Sequence, residues 1–174
     1  MTNLIGESQA ILDLDYNNHD ALLLASIVPA TSLATDYLNV FNEAIMLFGL
    51  LADMPDIIDE LSAWEPLTYE QHFLRSSFQG RDLAIIAYKN ADPKIKIPFD
   101  ALSRDTCHFI QRSIVQAKDM MAARSDMTLF VVETTESLQT AIMKLDSMVH
   151  GGQIGGAQSD VDSMFDNVPD EPNI

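Results

Sequence analysis

The stretch MTLFVVETTESLQTAIMKLDSMV, residues 127–149, decides the fold. Its opening run, Thr128–Thr135, is rich in β-branched residues, which favour strands. The apolar spacing points the other way. Met127, Phe130, Val131, Thr134, Leu138, Ala141, Ile142, Leu145, Met148 and Val149 recur every three or four residues, the period of one helical face. No neighbouring stretch offers a partner strand. The spacing therefore predicts a helix that Ser125 or Asp126 starts.

The segments upstream carry the same period. Phe99, Leu102, Thr106, Phe109, Ile110, Ser113, Ala117, Met120 and Met121 line one face of a preceding helix, with Pro98 suited to its first position. Ile95–Ile97 reads as a connector, Asn90-Ala91-Asp92 as a turn, and Pro93 as the end of a helix over about residues 68–90. Thr68 with Gln71 is the capping box that opens that helix. Further back, Leu33, Tyr37, Val40, Phe41, Ala44, Phe48 and Leu51 define a central core helix, which Thr31 or Ser32 caps and Pro55 interrupts. A continuation covers Asp56–Trp64. A short first helix spans Leu22–Val28, with Asn17, Asn18 and Asp20 as N-cap candidates and Pro29 as its stop. The expected fold is all-α: a helical bundle of about four long helices plus a short N-terminal one, with a flexible C-terminal tail.

Four segments follow. Residues 1–16 are a lead-in and 17–150 the bundle. Residues 151–157 form a glycine-rich linker, and 158–174 an acidic C-terminal docking peptide. The linker spans about 15 Å by random-coil scaling.

The 174 residues hold 26 acids and 10 bases, a net charge of −16. That balance disfavours nucleic acid and anionic membranes as partners, since both need a dense basic surface. Forty-seven per cent apolar residues suffice for a core. The lone Cys107 excludes an intramolecular disulfide and any multi-cysteine metal site. No apolar run reaches the about 18–20 residues a bilayer span needs, and Met1–Asp20 lacks the pattern of a signal peptide. A cytoplasmic protein without membrane insertion is expected, with no metal and no cofactor. The charge is segregated. Residues 1–74 hold twelve acids and neither Lys nor Arg; residues 75–124 hold nine bases against five acids; residues 125–174 hold nine acids and one base, Lys144. A basic middle packed beside acidic neighbours would neutralise both. A basic strip facing an acidic partner is the alternative.

The tail has its own logic. Ser159 can cap a helix, with Asp162 three residues on and Asp160 in the first turn, where the helix dipole favours acids. Val161, Met164, Phe165 and Val168 fall at i, i+3, i+4 and i+7. This is an amphipathic segment too short to be stable alone. Tethered by glycines, it has the design of a peptide that folds in a partner's groove; packing back on its own bundle is the alternative.

The stretch Gln158-Ser159-Asp160-Val161-Asp162-Ser163-Met164-Phe165 resembles the peptide by which chemotaxis proteins bind the response regulator CheY. That pattern is S-Q-x-[DE]-[IV]-D-x-[LM]-[LF]. It occurs at the N-terminus of the flagellar switch protein FliM and at the C-terminus of the phosphatase CheZ, there also after a helical body. Here Gln158-Ser159 stands in reversed order. The resemblance implies a CheY-type response regulator as partner. Ser159, Asp160, Val161, Asp162, Met164 and Phe165 would be the binding residues. The two aspartates would meet a basic rim, and the apolar side chains would fill a groove that fits better once the regulator is phosphorylated. It also implies that dephosphorylation of the regulator is an activity to look for.

Such a phosphatase positions water with an amide and a nearby carboxylate. The CheZ pattern D-x-x-x-Q is absent. Glu136 with Gln139 is the nearest helical counterpart, and Asp36 with Asn39 another; a solvated helix face explains either equally. His72, followed by Phe73-Leu74-Arg75-Ser76-Ser77, echoes the H-x-L-K-G-S phosphoacceptor of histidine phosphotransfer domains, without the glycine. That alternative needs an exposed imidazole. A non-catalytic helical scaffold or adaptor is the remaining alternative. Oligomeric state is open, although helical hairpins often pair as homodimers.

Overall fold

The structure, a computed structural model, describes residues 16–152. Among them seven α-helices form an all-α body: α1 (His19–Leu24), α2 (Asn39–Leu50), α3 (Ile58–Ala63), α4 (Tyr69–Arg75), α5 (Arg81–Lys89), α6 (Pro93–Ala122) and α7 (Thr128–Val149). Two 3-10 turns, Thr35–Leu38 and Pro55–Ile57, lead into α2 and α3. The decisive stretch is indeed helical, because Val131, Thr134, Leu138, Ala141, Leu145, Met148 and Val149 of α7 are all buried. α2, α6 and α7 pack mutually as the heart of the bundle; α3 lies on α6, and α4 on α5. Phe41, Phe48, Phe99, Leu138 and Leu145 are fully enclosed there.

Several element ends form as their residues dictate. Asn18 Oδ1 accepts the Asp20 and Ala21 N–H groups at 3.1 Å and so caps α1. Thr68 and Gln71 exchange both bonds of the capping box at α4. Asp126 Oδ1 accepts the Thr128 N–H at 2.9 Å, and its bonds to Thr128 hold its carboxyl below its ordinary pKa.

Other boundaries differ from the sequence expectation, and each difference has a physical reason. The first helix stops at Leu24, and Ile27–Val28 pairs antiparallel with Leu33–Ala34 in a two-residue ladder. Thr31 therefore caps no helix; its hydroxyl donates to Val149 O at 2.5 Å, satisfying a carbonyl at the C-terminus of α7. The segment 68–90 is two helices, because the chain breaks over residues 76–80. Gly80 sits where an added Cβ would lie 2.7 Å from the Ala25 Cβ, so α5 begins at a close approach to the end of α1. Pro93 opens a helix rather than closing one: the Asp92 side chain accepts the Lys94 N–H, and Pro93 takes the first position, where its missing N–H costs nothing. Ile95–Ile97 and Pro98 accordingly lie inside α6, a rod about 45 Å long.

Candidate functional site

The segment 158–168, with Ser159, Asp160, Val161, Asp162, Met164 and Phe165, lies outside the described residues. The described chain reaches the threshold of that segment. After α7 ends at Val149, Gly151 adopts a φ of 81°. The Gly152 N–H returns to Ser147 O and the Gly151 N–H to Met148 O, at 2.7 and 3.1 Å. This is a Schellman cap, so glycine turns the chain out of the helix before the motif.

Glu136 and Gln139 stand one turn apart on α7, and both are exposed. Val132 and Met143, exposed by 45% and 72%, flank them on the same side. A carboxylate and an amide on one accessible face can reach a docked protein without rearrangement of the body. The Asp36/Asn39 pair is arranged differently: Asn39 Nδ2 donates to Asp36 Oδ1 at 3.2 Å.

Asp36 also engages His72. Its Oδ2 lies 2.8 Å from His72 Nε2, and the two side chains are 29% and 14% exposed. The imidazole edge packs on the rings of Tyr37 and Phe73. His72 thus ties α4 to the Thr35–Leu38 turn, and one of its two nitrogens is occupied. Arg75 turns away to Glu65 at 3.0 Å. The exposed imidazole with an adjacent free cation that phosphotransfer calls for is not what these contacts provide. Among the described residues no group of three or more His, Cys, Asp or Glu could hold a metal ion, and no helix is long and apolar enough to cross a membrane.

A cleft of about 400 Å³ opens between the loop before α4 and one face of α6. No single stretch of sequence signals it, because its walls come from four segments. Tyr37 enters from the 3-10 turn, Leu67 and Tyr69 from the start of α4, Tyr88 from α5, and Asp100, Ser103 and Cys107 from α6. The tyrosines are fixed by hydrogen bonds as well as packing. Tyr37 Oη donates to Leu67 O, Tyr69 Oη accepts the Ala34 N–H, and Tyr88 Oη donates to Asp100 Oδ1, each at 2.8 Å. Tyr69 stacks on Tyr88 with centroids 4.3 Å apart.

Burial raises the pKa of all three phenols, so they stay protonated as donors and packing surfaces. Burial also raises the Asp100 carboxyl above its ordinary value, opposed by the Tyr88 hydroxyl and by Lys96 and Arg104. Burial pushes the Cys107 thiol up to about 11, which makes it inert rather than nucleophilic. His108, next in sequence, is exposed at the rim of the same cleft while Cys107 is buried, and no hydrogen bond joins the two, so they form no nucleophile–base pair.

No protein-family model, no curated protein and no solved structure matches this chain.

Proposed function

We propose that this chain is an accessory protein of chemotaxis or flagellar signalling, a helical body that presents residues 158–168 to a CheY-type response regulator. The observation that carries the reading is the stretch Gln158–Phe165, placed beyond a helical body and a glycine-rich segment. Asp160 and Asp162 supply the charge for a basic rim. Val161, Met164 and Phe165 supply the apolar face for a groove. Two features of the body agree with this arrangement. The glycine cap at Gly151 ends α7 upstream of the motif. Glu136 and Gln139 occupy an accessible helix face, where an amide could align a water at a phosphorylated partner and promote its dephosphorylation. A cytoplasmic location goes with such a partner.

A labelled peptide covering residues 157–170 tests the docking step by fluorescence anisotropy. It is expected to bind a CheY-type regulator at about micromolar strength, more tightly when the regulator is phosphorylated. Phe165→Ala should weaken binding at least about tenfold, the loss of one buried aromatic anchor. No binding by the peptide, together with full-length protein indifferent to Phe165→Ala, would remove the proposal. The catalytic branch is separate. If the parent accelerates dephosphorylation and Gln139→Ala does so equally well, Gln139 plays no part.

A further inference from the structure

The cleft beside α6 is lined by residues of the helical body and has the features of a site in its own right. Its size, about 400 Å³, lies within the range of small-molecule pockets. Ser103 and Asp100 sit three residues apart on the α6 face that lines it. Ser103 is 5% exposed, and its Oγ is buried beside the Tyr37 phenol without a hydrogen bond of standard geometry. The phenol it faces already donates to Leu67 O, so Ser103 can only donate to Tyr37, and its own lone pairs are left for a donor. Asp100 accepts one hydrogen bond, from Tyr88 to Oδ1, while Oδ2 takes part in none among the described residues. No ion pair closes on it either. Arg104 is drawn to Asp105 at 3.9 Å, and the Lys96 ammonium rests 4.0 Å over the Tyr88 ring. That last contact shows that this corner attracts a cation to its aromatic surface.

We propose that the cleft binds a small organic ammonium with a flat apolar body, held at its charged end by Asp100 and Ser103. An ammonium carries three donors and no acceptor. One N–H can go to Asp100 Oδ2 and one to Ser103 Oγ. The apolar body lies along the cleft wall that Leu67 lines. The charged groups around the site set the selectivity. Asp100 and the more distant Glu70 attract a cation. Lys96, Arg104 and a protonated His108 oppose it; Arg104 and His108 are largely exposed, where salt screens them. The Tyr37, Tyr69 and Tyr88 phenols and the Cys107 thiol are neutral. A carboxylate at the same place would face Asp100, and an alcohol would lack the charge.

Thermal shift on the full chain provides the test, with 2-phenylethylamine as probe and 2-phenylethanol and 3-phenylpropionate as its neutral and anionic counterparts. The amine is expected to raise Tm saturably in the millimolar range, and the other two at least about fivefold less effectively. Asp100→Asn keeps an acceptor for Tyr88 and should weaken the amine at least about tenfold, with far-UV circular dichroism unchanged. Ser103→Ala, at a second position, should weaken it several-fold. Lowering the pH until Asp100 protonates should weaken the amine and leave the alcohol unaffected. No saturable shift with the amine, equal binding of all three probes, or undiminished amine binding to both variants would each overturn the proposal.

Discussion

Asp100 is a carboxylate that its surroundings only half accept. Burial disfavours its charge, while Tyr88, Lys96 and Arg104 favour it, and the balance leaves its folded pKa above the ordinary 3.8. Below that ordinary value the group is protonated in the folded and unfolded chain alike, and burial of a charge costs nothing. As the pH rises through 3.8 toward the folded pKa, the unfolded chain loses its proton first, and stability falls. An asparagine side chain at this position would carry no such charge and would still accept the Tyr88 hydrogen bond. Asp100→Asn should therefore melt close to the parent at the lowest pH and above it at neutral pH, the gap opening across the window just above 3.8. Paired melting curves between acid and neutral pH check this; a constant gap would show that burial of the charge is not the cause. Single residues were unevenly legible. Asn18, Thr68 and Gln71 act within one turn, so their caps could be read from spacing. The Thr31 hydroxyl acts on Val149, and Tyr69 on Ala34, across intervals that no local pattern records. The Asp36–His72 pair is of the same kind, joining residues far apart in the chain.

Helix ends show how backbone conformation is matched, or not, by residue type. α6 and α7 both finish in a Schellman cap. At α7 the residue with positive φ is Gly151; at α6 it is Arg124, with φ 55°, the Ser125 N–H returning to Met120 O and the Arg124 N–H to Met121 O at 2.9 and 3.0 Å. A side chain in the left-handed region costs about 1–2 kcal/mol, and glycine avoids that cost at the expense of extra freedom when unfolded. Arg124→Gly should therefore stabilise the body by about 0.5–1 kcal/mol, and Gly151→Ala should destabilise it by about 1 kcal/mol. Urea denaturation with an unchanged m-value would measure both; a destabilised Arg124→Gly would show that the side chain makes a contact worth more than the strain. The glycine stop after Val149 was readable because glycine after a periodic run has one common meaning. Asp92-Pro93 was not, because a proline can follow one helix or open the next, and here Asp92 caps α6. The break at residues 76–80 depends on the approach of Gly80 to Ala25, a contact between separate elements.

Among the described residues, the largest buried side chains, Phe41, Phe48, Tyr69, Phe73, Phe99, Leu138 and Leu145, pack within 16–152. The two halves of the proposed function should therefore separate. The all-α class was readable because helical periodicity is written along each segment. The cleft was not, because Tyr37, Tyr69, Tyr88 and Asp100 meet only through the packing of α4, α5 and α6. Residues 158–174 hold five acids and no base. A chain ending at Gly152 keeps the Schellman cap of α7 and every buried apolar side chain named above. It should melt within about 2 °C of the full chain, a change under about 0.5 kcal/mol for a domain of this size. The same truncation should abolish capture of a phosphorylated CheY-type regulator in a pull-down. In the full chain, binding should weaken as salt rises from about 50 to 500 mM, because acids meeting a basic rim are screened over about 8–10 Å near physiological ionic strength. A large drop in melting temperature on truncation would place the tail against the bundle instead, and capture by the truncated chain would move the docking surface onto the helices, with the α7 face carrying Val132, Glu136, Gln139 and Met143 as the first place to mutate.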